Sequence, residues 1–199
     1  MNEGTYQSGA ATLSRAAIER ALHRLGDLLK ERKRTVQLVA AGGVISVMQF
    51  GNRLMTRDID VVMPPQDRDL LMELADRVAK EQNLPTGKSA WLNDGVSFFG
   101  LQTRSNKVIF RHTNLVVYNA TWHELLGMKL SGAWRRDADF DDAIQILRKI
   151  GKQNKAETLA QALKFKNFTP QTDNETFSKS GLGRTCLENE SGCLTEHNH

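Results

Sequence analysis

Between Thr12 and Lys33, apolar residues recur at intervals of three and four: Leu13, Ala17, Ile18, Ala21, Leu22, Leu25, Leu28 and Leu29. Side chains so spaced share one face of a helix, so the segment is predicted to be an amphipathic helix. Its polar side carries Arg15, Arg20, Arg24, Lys30, Arg32 and Lys33. Residues 36–40 are short and mostly apolar, the pattern of a buried strand. The pair Gly42-Gly43 follows, and residues 43–50 are expected to be helical, ending near Gly51-Asn52. Residues 59–63 form a second predicted strand, which Pro64-Pro65 ends because proline cannot donate to a sheet. Leu70, Leu71, Leu74, Ala75 and Val78 place a second amphipathic helix over residues 66–82, with a loop at 83–87.

Downstream, residues 96–102 and 108–110 flank Arg104-Ser-Asn106, which reads as a hairpin, and residues 115–118 form another short strand. Thr121, with Glu124 three positions on, makes a capping box for a helix running to about Trp134. A further helix is expected over 139–150 with Gly151 as its stop, and a last short one over 155–163. Strands interleaved with helices, then helices alone, predict an α/β (α+β) fold: a mixed β-sheet flanked by helices, with a helical C-terminal part. The domain is placed at residues 12–165. Residues 1–11, small and polar, and residues 166–199, rich in Thr, Asn, Ser, Gly and Glu, are predicted to be disordered.

Composition narrows the class. The chain has 199 residues, of which 40% are hydrophobic and 25% charged, as in ordinary globular proteins. No apolar run is long enough for a transmembrane helix, and the first residues lack the basic and apolar regions of a secretory signal, so a cytoplasmic location is expected. Cys186 and Cys193 both fall in the last 14 residues and cannot staple the core. With His197 and His199 they match no common zinc spacing. The net charge is +4; residues 168–199 hold two bases against five acids, −3, which leaves +7 on the body. A basic body fits a polyanionic ligand, a nucleoside triphosphate or RNA, without choosing between them. The basic first helix lacks the interleaved aromatics that stacking on RNA bases would use.

The candidate chemistry is concentrated in residues 42–60. Asp58 and Asp60 flank one apolar residue, so on a strand both carboxylates point to one face. They repel unless a cation lies between them, and hard oxygen ligands suit magnesium or manganese. Acids entering an apolar strand also carry a desolvation cost that a cation offsets. Arg53 and Arg57 are near enough in sequence to help, or to hold a triphosphate. A glycine pair between strand and helix lets backbone N–H groups approach a phosphate, and Ser46, one turn on, could donate to it. Each feature has a plainer reading: Gly42-Gly43 as a tight turn that binds nothing, and the aspartates as surface residues.

Taken together, Gly42-Gly43 followed by Arg53-Leu-Met-Thr-Arg-Asp-Ile-Asp-Val-Val62 resembles the nucleotidyltransferase fold superfamily. The later block from Leu126-Gly-Met-Lys129 through Trp134-Arg-Arg136 to Asp139 and Asp142 is similar to the helix pair of one branch. That branch holds the minimal nucleotidyltransferase-like proteins and the abortive-infection toxin-type nucleotidyltransferases. The resemblance spans roughly residues 36–150. It implies transfer of a nucleoside monophosphate from ATP or another nucleoside triphosphate to an acceptor, whether small molecule, protein or RNA. Asp58 and Asp60 would hold Mg2+ or Mn2+, and Gly42-Gly43 the outer phosphates. Lys129 would contact the triphosphate, with Arg136 and Asp139 matching the family's following Arg and acid. Many members add a third carboxylate from a later strand, but residues 101–118 contain no Asp or Glu. His112 and Asn114 could stand near the site without replacing that charge; His112 and His123 are assigned structural roles. The alternative is therefore a catalytically degenerate nucleotide-binding or interaction module on the same fold, with the tail available to a protein partner.

Overall fold

The computed structural model describes residues 12–87, 90–99, 104–133, 137–150 and 160. The two termini expected to be disordered, Arg136, and the helix expected over 155–163 (residue 160 apart) lie outside them. The chain forms two compact units, one through Thr121 and the other from Trp122 onward.

In the first unit, β1 (Leu13–Ser14) leads into α1 (Arg15–Glu31). The helix starts later than its apolar spacing suggested because Ser14 takes an extended backbone and caps it, its hydroxyl accepting from the Ala17 N–H at 3.3 Å. Next come β2 (Val36–Ala41), the single turn α2 (Gly43–Ile45) and a π-helical stretch, Ser46–Phe50. Then β3 (Met55–Thr56) pairs with β1, and β4 (Ile59–Val62) is followed by a 3-10 turn and α3 (Arg68–Gln82). Strands β5 (Leu92–Asn93), β6 (Arg104–Arg111) and β7 (Leu115–Ala120) complete the unit.

One expectation is corrected. Arg104-Ser-Asn106 is not a hairpin turn but the start of the eight-residue β6, and Gly95–Phe99 is a 3-10 helix. The turn lies instead at His112–Asn114, where the His112 N–H donates to Leu115 O at 2.7 Å. Polar residues on an edge strand read like a turn in the sequence, because one edge of such a strand faces solvent.

The main sheet runs β5-β4-β2-β7-β6. Strand β2 is parallel to β7 and antiparallel to β4, β4 is parallel to β5, and β6 is antiparallel to β7, so the sheet is mixed as expected. Register sorts its two faces. Ala40 aligns with Val61 and Asn119, and Leu38 with Val117. This face, with Ile59, Leu92 and Leu115, is fully buried, as are Ile18, Leu22, Leu25 and Leu29 of α1 and Leu71 and Val78 of α3. The His23 ring of α1 meets Phe110 edge-on at 4.9 Å, and Phe110 aligns with Val117, so the helices cover this face. The opposite face presents Gln37, Val39, Asp60, Asn93 and Tyr118, each at least partly exposed.

Two of the six bases on the polar side of the α1 segment are engaged by α3, which in turn offers a base to an acid of α1. Arg24 pairs with Glu81 at 2.6 Å, Arg32 with Glu73 at 2.6 Å, and Arg77 with Glu31 at 3.8 Å. The Arg24 guanidinium, hydrogen-bonded to Glu81, lowers that carboxyl to about 2. Part of the polybasic stripe is thus a helix–helix seam; among the described residues Arg20, Lys30 and Lys33 remain outside it, and Arg15 pairs within its own helix, with Glu19 at 3.0 Å.

The second unit contains α4 (Trp122–Ala133), starting directly after Thr121, and α5 (Asp137–Lys149). Leu125, Leu126 and Leu130 of α4 and Ala143, Ile146 and Leu147 of α5 are buried. Helix α5 opens on Asp137 and Asp139 and closes on Arg148 and Lys149, the charge order its dipole favours. Among the described residues no helix is long and apolar enough to cross a membrane.

Candidate functional site

The turn after β2 is shaped by its neighbours. Gly42 adopts φ 73° and ψ −150°, a conformation essentially restricted to glycine. Its Cα also packs against a carboxylate: a Cβ placed there would overlap Asp60 Oδ2 and come within 3.3 Å of Asp60 Cγ. Gly43 is constrained by space alone. A Cβ on it would overlap Thr56 Oγ1 and lie 3.8 Å from Arg53 Nη1. Gly42, Gly43, Arg53, Thr56 and Asp60 therefore form one cluster, in which missing side chains on the turn admit the polar groups of the following segment.

Asp60 sits on β4, and its Cα partners are Ala41 on β2 and Asn93 on β5. Asp58 immediately precedes β4. The Asn93 amide nitrogen donates to Asp58 Oδ2 at 3.3 Å, and its carbonyl accepts from the Gly95 N–H at 3.0 Å. Because Asn93 aligns with Asp60 and reaches Asp58, both carboxylates stand on the same face, as the period of two required. Thr56, 8% exposed, donates from its hydroxyl to the Asp58 carbonyl at 3.2 Å, tying the residue over Gly43 to the first acid.

Neither Thr56 nor Asn93 stands out in the sequence. Asn93 ends a two-residue strand with no periodicity of its own, and only register brings it beside the acids. Arg68, which bonds Asp94 at 2.5 Å and holds that carboxyl below its ordinary range, braces the same loop.

The other expected residues are placed differently. Arg57 is exposed and makes no ion pair among the described residues. Ser46 is 1% exposed, so its hydroxyl is not presented to solvent as the two aspartates are. His112 and Asn114 lie at the β6–β7 turn, beside the start of β2, whereas Asp60 aligns with its last residue. They are thus removed from the acids by the length of the strand. The His112 Nδ1 accepts from the Asn114 N–H at 3.1 Å, and its Nε2 lies 3.3 Å from Asp27.

In the second unit, Lys129 is 7% exposed. Its Nζ lies 2.7 Å from Asp139 Oδ1 and 2.8 Å from Asp142 Oδ2, and Asp142 is fully buried. The lysine and two of the acids that follow it in the sequence thus meet as an ion triad between α4 and α5. Such a triad requires its cation, since two buried carboxylates without one would repel.

The donor set fits a hard divalent cation. Magnesium is commonly held by one or two carboxylates, with water and substrate phosphates completing its shell. Asp58 and Asp60 offer that number. Among the described residues no group of three or more His, Cys, Asp or Glu side chains comes together to form an all-protein cage.

No family model and no curated protein matches this chain. Among solved structures it is similar to an antigenic nucleotidyltransferase-like protein from Paracoccidioides brasiliensis. The identity is 14%, with 83% of this chain and 94% of that one covered, and the TM-score is 0.47. A likeness at this level assigns no residue a role.

Proposed function

We propose that this protein is a metal-dependent nucleotidyltransferase, moving a nucleoside monophosphate from a nucleoside triphosphate to an acceptor hydroxyl. The observation that carries the reading is the seating of the Asp60 carboxylate on the Cα of Gly42, with Asp58 held on the same face by Asn93. Backbone free of side chains and a pair of acids thus meet at one place, the combination that phosphate and its metal require.

Asp58 and Asp60 would hold Mg2+ or Mn2+, which when bound neutralises phosphate charge and lowers the pKa of an acceptor hydroxyl. The Gly42-Gly43 turn would take the outer phosphates, and Arg53, beside Gly43, would balance their charge. The acceptor oxygen forms its bond to the α-phosphorus as the bond to the bridging oxygen breaks. Pyrophosphate departs with the electron pair of that bond, and the hydroxyl proton passes to water. Asn93 and Thr56 position Asp58 and are not themselves reactants. Lys129, already engaged by Asp139 and Asp142, is read as organising α4 and α5.

A second reading is favoured by the absence of acids from residues 101–118: a module on this fold that binds nucleotide without turning it over. Labelled nucleoside triphosphate incubated with magnesium and a panel of acceptors tests the first. The wild-type chain should release pyrophosphate and label an acceptor, while Asp58→Asn with Asp60→Asn should abolish both and unfold at a similar temperature. Transfer undiminished in the double variant would falsify the assignment; tight binding by the wild type with no product would leave the module.

A further inference from the structure

The sheet face that carries Asp60 holds a second constellation that the metal and phosphate chemistry does not use. Arg104, at the start of β6, places its guanidinium carbon 4.2 Å from the centroid of the Tyr118 ring. Its Nη1 donates to Gln37 Oε1 at 3.0 Å, which fixes the group from a third strand. Register puts all three on the face of Asp60: Gln37 aligns with Val116, Tyr118 with Val39, and Arg104 with Ala120. Between them and the acid lie Val39 and Val62, both partly exposed. The pattern is a strip of apolar sheet with a guanidinium–phenol pair at one end and a carboxylate at the other.

We propose that the Arg104–Tyr118 pair is the platform on which the base of a nucleoside triphosphate stacks. The inference rests on the reading of Gly42-Gly43, Asp58 and Asp60 as the phosphate and metal site. Three features favour a base over another occupant. Guanidinium planes and tyrosine rings are the surfaces proteins use to stack bases, because every base offers a π-face. Arg104 is already immobilised by Tyr118 and Gln37, so little side-chain freedom is lost on binding. The spacing also suits one nucleotide. Two strand separations across and two residues along put the Cα atoms of Tyr118 and Asp60 about 12 Å apart, the scale of a nucleoside triphosphate from its phosphates to its base. The donors of Arg104 not given to Gln37 can meet acceptors on the base edge.

Calorimetric titration of the full chain with Mg·ATP and, separately, with Mg·tripolyphosphate tests this. Arg104→Gln and Tyr118→Leu are suitable variants: the first changes an exposed side chain on an edge strand, and the second keeps apolar bulk on the sheet. Each should weaken Mg·ATP by about tenfold to a hundredfold and leave Mg·tripolyphosphate within twofold of the wild type. Unchanged Mg·ATP affinity in both variants overturns the platform, as does an equal loss on the two ligands, which would place these residues on the phosphates. Equal wild-type affinity for the two ligands also overturns it while leaving the phosphate site standing. A wild-type chain that binds neither ligand removes the phosphate and metal reading, and the platform with it.

Discussion

Gly42→Ala isolates the contact on which the candidate site is built. Two costs are expected, and they separate. The first belongs to the backbone: at φ 73° and ψ −150° an alanine is strained by about 1–3 kcal/mol. The second belongs to Asp60, whose carboxylate occupies the volume a Cβ would need. Displacing it also perturbs a strand paired on both sides, so overpacking adds about 1–3 kcal/mol. In a chain of this length each kcal/mol lowers the melting temperature by roughly 2–4 °C, so Gly42→Ala should cost about 4 °C at least. The decisive measurement is a double-mutant cycle with Asp60→Ala, read by urea unfolding. Removing the carboxylate abolishes the overlap but not the strain, so Gly42→Ala should cost less in that background, with a coupling above about 0.5 kcal/mol. If the alanine costs the same in both backgrounds, the carboxylate does not rest on Gly42, and the union of turn and acid pair is wrong. If it costs nothing in either, the backbone conformation is wrong as well.

Lys129→Met should destabilise the second unit by about 3–5 kcal/mol in urea unfolding, because it removes a buried ammonium that lies 2.7 Å and 2.8 Å from two buried carboxylates, Asp139 and Asp142; a cost under about 1 kcal/mol would refute a buried triad. Gly26→Ala, normally worth up to about 1 kcal/mol of stabilisation in a helix, should instead lower the melting temperature, since its methyl would meet His112 Cγ at 2.5 Å and Cβ at 3.0 Å. Glu81 gives a pH signature. Its folded carboxyl lies at about 2, below the ordinary 4.5, so its contribution is complete above pH 4.5 and lost as pH falls toward 2. The wild type should therefore lose its advantage over Glu81→Gln across that window, less visibly in high salt, and parallel pH profiles would count against the Arg24–Glu81 pair.

How much of this was legible beforehand depends on the range of the interaction concerned. Helix α1 was legible because its apolar residues repeat within a turn, and its start moved only because Ser14 offers a better cap than Thr12. The strands at β2 and β4 were legible as apolar runs, and the common face of Asp58 and Asp60 followed from period two alone. The β6–β7 hairpin was misplaced because β6 is an edge strand of exposed, mostly polar residues. Its pairing to β7, interrupted by register shifts, is a property of two segments rather than one.

The same distinction governs the site. Gly42 was legible as a glycine between strand and helix, but the reason it must be glycine is Asp60, eighteen residues away and joined to it only by the β2–β4 register. Asn93 had no local signal at all, yet it is the side chain that orients Asp58. An amide there has a physical consequence. Two carboxylates already match the charge of one divalent cation, and a third acid at Asn93 would add repulsion to Asp58, whereas the amide donates to it and adds no charge. Asn93→Asp should therefore weaken the hold on Asp58 even though it supplies one more potential ligand. The count of acids alone does not decide whether the site holds a metal; the pairing of Asp58 with a neutral donor bears on it as directly.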